Sequence, residues 1–166
     1  MGLDHGIYIK KIGKGNNKFK DVAYFRKCNQ VHGWFLRNCV SREFKDPNEW
    51  CGSMVKIEKQ DLESLLQDIE KVLEVSKLKK GKVIVDYDYK MILGHKYKRP
   101  VKMEGSVIKN PKTAKKLLPC CKGFFFGSYN YDDFYLDQLY DVKMQLIEIL
   151  KTVDFNKYNA YYWGWW

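Results

Sequence analysis

Several things are scarce or missing in this 166-residue chain, and each absence narrows its function. The five cysteines, Cys28, Cys39, Cys51, Cys120 and Cys121, are an odd number with no CxxC pair, which argues against a disulfide framework. No Cys/His spacing matches a zinc site, and the three histidines, His5, His32 and His95, are far apart, so no metal is expected. No GK[ST] follows a spaced glycine, which excludes a P-loop at Gly13-Lys14-Gly15-Asn16-Asn17. No apolar run approaches membrane-spanning length, so no membrane is expected. Met1-Gly2-Leu3-Asp4-His5 lacks the apolar stretch of a secretory signal. Gly6 stands where a myristoylation pattern requires Ser or Thr. Reduced thiols in a cytosolic compartment are the expectation.

What the chain has is charge in one place. Lys77 to Lys116 holds thirteen basic and three acidic residues, the acids being Asp86, Asp88 and Glu104; this stretch carries the entire net charge of +10. Such a field attracts phosphates, nucleic acid or acidic surfaces. Twelve of the thirteen are lysines, whereas shaped phosphate recognition favours arginine, so a solvated lysine face is an equal reading. Aromatic residues reach 16%, a large burial potential with polar handles on Tyr and Trp.

Periodicity predicts the elements. Gly6–Ile12 reads as a strand, and Asp21–Cys39 as a helix with Tyr24, Cys28, Val31, Phe35 and Cys39 on one arc. Met54–Ile57 reads as a strand. Gln60–Lys79 reads as a helix on the stripe Leu62, Leu65, Leu66, Ile69, Val72 and Leu73, with Gly81 near its C-cap. Lys82–Lys90 and Lys96–Met103 alternate as a basic hairpin or meander, with turns at Gly94-His95 and Glu104-Gly105 and with Pro100 forcing an edge. Pro111–Leu118 is a short helix, Gly123–Ser128 a strand-like apolar run, Asp132–Val153 a long helix, and Tyr161–Trp166 a final strand. The fold class is α+β: a small, mostly antiparallel sheet with two or three long helices on one face, plus a basic β-hairpin insert at about 80–110 in a single domain, 1–166.

Two polar–aromatic clusters stand out. One runs from Tyr24 to Phe35 and contains Arg26, Lys27, Asn29, His32, Gly33 and Trp34. His32 falls inside the apolar arc, which makes it either a satisfied core group or a pocket group. Gly33 permits close approach of a ligand or a second backbone. The other cluster is Phe125 to Asp133, with Gly127, Ser128, Tyr131 and Asp132 at a helix N-terminus, either an anion site or a cap made by Ser128 or Asn130. A Cys51–His32 nucleophile and an Asp86/Asp88 acid–base pair are weaker readings.

The blocks DVAYFRKCNQVHGWF, EWCG, LLPCCKGFFFGSYNYDDFY and the terminal DFNKYNAYYWGWW resemble a family of small phage- and prophage-encoded proteins of uncharacterised type. Its members carry motifs like EVAYWRKxNxIHxWF and LLPTxxGFFFGSTxYDxxY. The resemblance spans nearly the whole chain outside about 79–109. It departs at Asp21, at Phe25, at Cys120-Cys121 and in the more aromatic C-terminus. It implies a phage-encoded, non-catalytic protein in the host cytoplasm. That protein captures a small phosphorylated ligand without a cofactor, sequestering a nucleotide-derived immune signal. Tyr24, Arg26, Lys27, Asn29, His32, Trp34, Gly127, Ser128, Tyr131 and Asp132 are the expected ligand-binding residues. Nucleic-acid binding by the basic hairpin with Tyr87, Tyr89 and Tyr97 as stacking groups, hydrolysis of a nucleotide signal with His32 as acid or base, and blockage of a host factor through the aromatic C-terminus are the alternatives. A homo-oligomer is compatible with each.

Overall fold

Alternation of apolar and polar residues at the chain start builds the sheet. In the computed structural model, which describes residues 2–13 and 18–166, β1 (Asp4–Lys11) buries His5, Ile7 and Ile9, while the alternate residues Tyr8 and Lys10 are only half-buried. It pairs antiparallel with β2 (Lys20–Arg26) on one side and β6 (Tyr158–Trp165) on the other. β3 (Met54–Ile57) completes the order β2-β1-β6-β3 by pairing antiparallel with β6. The glycine-rich loop expected after β1 has Gly13 at φ 101°, and Lys14–Asn17 lie outside the described residues.

Among the described residues, three long helices and two short α-helices pack with the sheet, beside a single 3-10 turn at Val40–Arg42. The α-helices are α1 (Asn29–Asn38), α2 (Pro47–Trp50), α3 (Lys59–Val75), α4 (Lys112–Leu117) and α5 (Asp133–Thr152). Ile7, Ile9, Phe25, Val55, Ile57 and Tyr162 from the sheet join Phe35, Leu65, Ile69, Leu139 and Leu146 from the helices in one core. The opposite sheet face is open and aromatic. It presents Tyr8, Tyr24, Tyr161 and Trp163, with Tyr8 and Trp163 edge to face at 6.1 Å. The architecture is α+β, as the sequence pattern indicates. Among the described residues, no helix is long and apolar enough to cross a membrane.

The first expected helix is two elements. Residues 20–26 are strand β2, and α1 begins only at Asn29. Over so short a run both periods fit: Ala23 and Phe25 are buried and Tyr24 and Arg26 exposed, which is a strand's alternation. Pairing with β1 decides between them, and Lys27, at φ 54°, breaks the chain direction. Helix α3 also stops short of the expected Lys79. Its apolar stripe ends at Leu73, and from Ser76 the backbone is extended, feeding the next strand. Its start is held by a capping box between Glu58 and Asp61, and Arg42 clamps Asp61 bidentately at 2.7 and 3.0 Å.

β4 (Leu78–Ile92) and β5 (His95–Ile108) form a separate two-stranded ribbon, longer than the expected hairpin. The turn is Leu93-Gly94, both at positive φ. The turn expected at Glu104-Gly105 is absent, because Gly105 lies opposite Gly81 within the ladder and Glu104 opposite Lys82. Gly81 is therefore a strand residue and not a helix cap.

Candidate functional site

Asparagine side chains assemble the site. Helix α1 is enclosed, with every residue from Asn29 to Phe35 buried. Polar groups on such a helix must find partners. Asn29 does so by fastening the segment that follows α4: its Nδ2 donates to Phe126 O (3.1 Å) and Ser128 O (2.8 Å), and its Oδ1 accepts from Cys121 N–H (3.0 Å). Gly33 completes the seat, since a Cβ there would lie 2.9 Å from Cys121 Cβ. The close approach that Gly33 permits is thus made by this segment. Gly127, at φ 97°, packs against Lys27, where an added Cβ would sit 3.0 Å from both its Cβ and its carbonyl oxygen.

Asn130 then ties the ribbon to the same segment. Its Oδ1 accepts from Ile84 N–H at 3.2 Å and its Nδ2 donates to Ile84 O at 2.8 Å, copying a strand's own pairing. The ribbon's base is consequently held across from residues 123–130, and an open cleft of about 630 Å³ lies between them. Lys27 stands on one wall and Lys98 on the other; Tyr87, Phe124, Phe125 and Tyr129 supply aromatic surface. Phe124 and Phe125 are exposed despite the apolar run they belong to, and Phe125 adopts φ 57°, so the expected strand at 123–128 is an irregular loop. Tyr129 braces that loop, donating its hydroxyl to Gly123 O at 2.7 Å. One carboxylate, Asp86, also lines the cleft, folded back to accept from Tyr87 N–H at 2.7 Å.

Of the residues expected to bind ligand, Lys27, Gly127 and Ser128 line this cleft. Asn29 supports it from behind. Tyr131 accepts from Cys120 N–H through its hydroxyl (3.1 Å), and Asp132 caps α5 by accepting from Tyr135 N–H (3.0 Å). The cap is therefore Asp132, one residue before the helix, and not Ser128 or Asn130. Tyr24 and Arg26 lie on β2, away from the cleft: the Tyr24 hydroxyl donates to Asp4, and Arg26 lies 3.7 Å from the same carboxylate. They border a smaller pocket of about 230 Å³ with Gln138 and Gln145 of α5. Trp34 is buried, its indole donating to Asp68 of α3 at 3.0 Å.

His32 belongs to the core. Its ring packs among Trp50, Phe126 and Trp166, and its Nδ1 lies 2.9 Å from the Tyr162 hydroxyl. The same hydroxyl lies 3.0 Å from His5 Nδ1. One hydroxyl proton serves two rings, so Tyr162 donates to one imidazole and accepts from the N–H of the other. Burial pushes His32 down to about 3. It also holds His5 well below its ordinary value, with the neighbouring His32 adding to the effect and a Cys28 backbone contact opposing it. Both Nε2 atoms and the Trp50 indole nitrogen are buried without a hydrogen-bond partner among the described residues. Burial likewise raises the Cys28 and Cys39 thiols to about 12. No group of three metal-ligating side chains occurs among the described residues.

The cleft residues that the sequence does not single out are Ile84, Val85, Lys98, Gly123 and Phe124; Asp86 reads there only as an acid–base partner of Asp88, Tyr87 only as a stacking group of the hairpin, and Phe125, Tyr129 and Asn130 lie within the second cluster. Spacing along the chain carries no sign that the ribbon folds against residues 123–130. The one legible hint was a phenylalanine run bracketed by glycines. No family model, curated protein or solved structure matches the chain.

Proposed function

We propose that the chain is a non-catalytic binding protein that captures a small, nucleotide-like phosphorylated molecule in the cleft between the ribbon base and residues 123–130. The observation that carries this reading is the pairing of Lys27 and Lys98 across a cleft whose remaining lining includes Tyr87, Phe124, Phe125 and Tyr129. Lysines supply charge for a phosphate and exposed rings supply stacking surface for a base. The volume falls within the range of small-molecule sites. Capture rather than turnover is favoured because His32, the acid–base candidate, lies in the core and stays neutral far below physiological pH. The resemblance of the motif blocks to those of phage-encoded proteins extends the proposal: the captured molecule is a nucleotide-derived signal of the host's defence, held in the host cytoplasm.

Titration calorimetry against mono-, di- and cyclic nucleotides tests it, with mass spectrometry of the ligand afterwards. Binding should weaken about tenfold for Lys27→Gln and for Lys98→Gln, the scale of one charge-assisted hydrogen bond. The recovered ligand should be intact. Absence of heat across the panel would remove the proposal, and a cleaved ligand would replace it with the hydrolase reading.

A further inference from the structure

We infer that the distal half of the ribbon is a track for single-stranded nucleic acid that continues from the cleft wall, an activity beyond nucleotide capture in the cleft. The pairing register places Tyr87, Tyr89 and Met91 on one face with Pro100, Lys98 and Lys96 opposite them. Lys98 Nζ lies 3.9 Å from the Tyr87 ring centre and Lys96 Nζ 4.2 Å from that of Tyr89. Each ammonium therefore sits on an aromatic ring, and both Tyr87 and Tyr89 remain exposed, at 38% and 52%. Between Tyr87 and Met91, and between Lys96 and Pro100, this face carries no acid; Glu104 shares it further along β5, opposite Lys82. The neighbouring carboxylates, Asp86 and Asp88, lie on the other face, bonded to the N–H groups that follow them, at 2.7 Å each.

The tip strengthens the case. Met91, Ile92 and Leu93 are three consecutive apolar residues with exposures of 67, 52 and 95%. A run of that kind in water is a liability unless a partner covers it. Leu93 also occupies φ 49°, a turn position that favours Asn, Asp or Gly. Alternating cations and rings that end in an apolar tip match a strand of nucleic acid with unpaired bases: phosphates meet lysines, and bases meet tyrosines and the tip. Tyr87 and Lys98 also belong to the cleft wall, so the face runs into it.

The test uses the full chain and fluorescence anisotropy with a labelled twelve-nucleotide oligothymidylate. Tyr89 and Lys96 lie outside the cleft, so they separate the two sites. Tyr89→Ala should weaken oligonucleotide binding about tenfold, the scale of one stacked base. Lys96→Gln should reduce the slope of log affinity against log salt by about 0.7. Both variants should keep the nucleotide affinity of the cleft. Oligonucleotide binding indifferent to both variants, or stronger binding to a duplex of equal length or to phosphatidylserine vesicles, would overturn the inference. Loss of nucleotide capture with intact oligonucleotide binding would sink the cleft proposal alone.

Discussion

Lowering the pH from 7 to 5 should cost this fold about 2 kcal/mol at His32, and His5 adds to the cost in the same direction. Both rings are buried, and burial holds both below their ordinary value of 6.5, His32 at about 3. In the unfolded chain each imidazole titrates near 6.5 and takes up a proton as the pH falls, while the folded ring does not. The unfolded state then binds more protons, so stability is fully present above pH 6.5 and declines between 6.5 and about 3. At pH 5 the loss relative to pH 7 is about 2 kcal/mol for His32, and His5 adds to it in the same direction. Asp154, held below its ordinary 3.8 by its hydrogen bond to Lys157, loses its contribution only at lower pH. Urea unfolding followed by tryptophan fluorescence at pH 7 and pH 5 measures the effect. With a slope of about 2 kcal/mol per molar urea, the midpoint should fall by about 1 M or more. An unchanged midpoint, or a His32 imidazole that titrates near 6.5 by NMR, would refute the buried pair and return His32 to the list of accessible acid–base groups.

Asn29→Ala should destabilise the fold by about 3 kcal/mol, since it strands Phe126 O, Ser128 O and Cys121 N–H together. Its more telling effect is on residues 121–128, whose amides should lose hydrogen-exchange protection while the sheet keeps its own. Cys28 and Cys39 should resist alkylation in the native state at pH 8, because burial holds both thiols near 12. Mass spectrometry after a timed iodoacetamide pulse checks this, with labelling of both expected only in denaturant.

Long apolar stripes made the helices α3 and α5 readable from sequence, because a stripe such as Leu62, Leu65, Ile69 and Val72 has one way to bury itself. The hairpin was readable from alternation, though its extent was not: nothing local ends a strand whose ladder continues through Gly81 and Gly105. The segment from Asp21 to Arg26 misled because six residues satisfy either period, and only the partner strand β1 settles which applies. The site divided in the same way. Lys27, Gly127 and Ser128 were visible as chemistry in two motifs. Tyr87 was legible only as a stacking group of the basic hairpin and Lys98 only as one of its lysines, since both reach the cleft through the Asn130–Ile84 bonds, a contact across 46 residues. His32 looked like a site group because a histidine beside Arg26, Lys27 and Asn29 reads as polar chemistry. Its partner His5 lies on β1, and the hydroxyl they share is on β6, so the bonds that explain it are all distant in sequence.

The most direct test of the central claim is a calorimetric titration of nucleotides into the Lys27→Gln/Lys98→Gln double variant beside the wild-type chain. The cleft reading predicts micromolar-or-tighter capture by the wild type, at least a hundredfold weaker binding by the double variant, and an unchanged unfolding midpoint for both proteins. Equal affinity in the two proteins would contradict it.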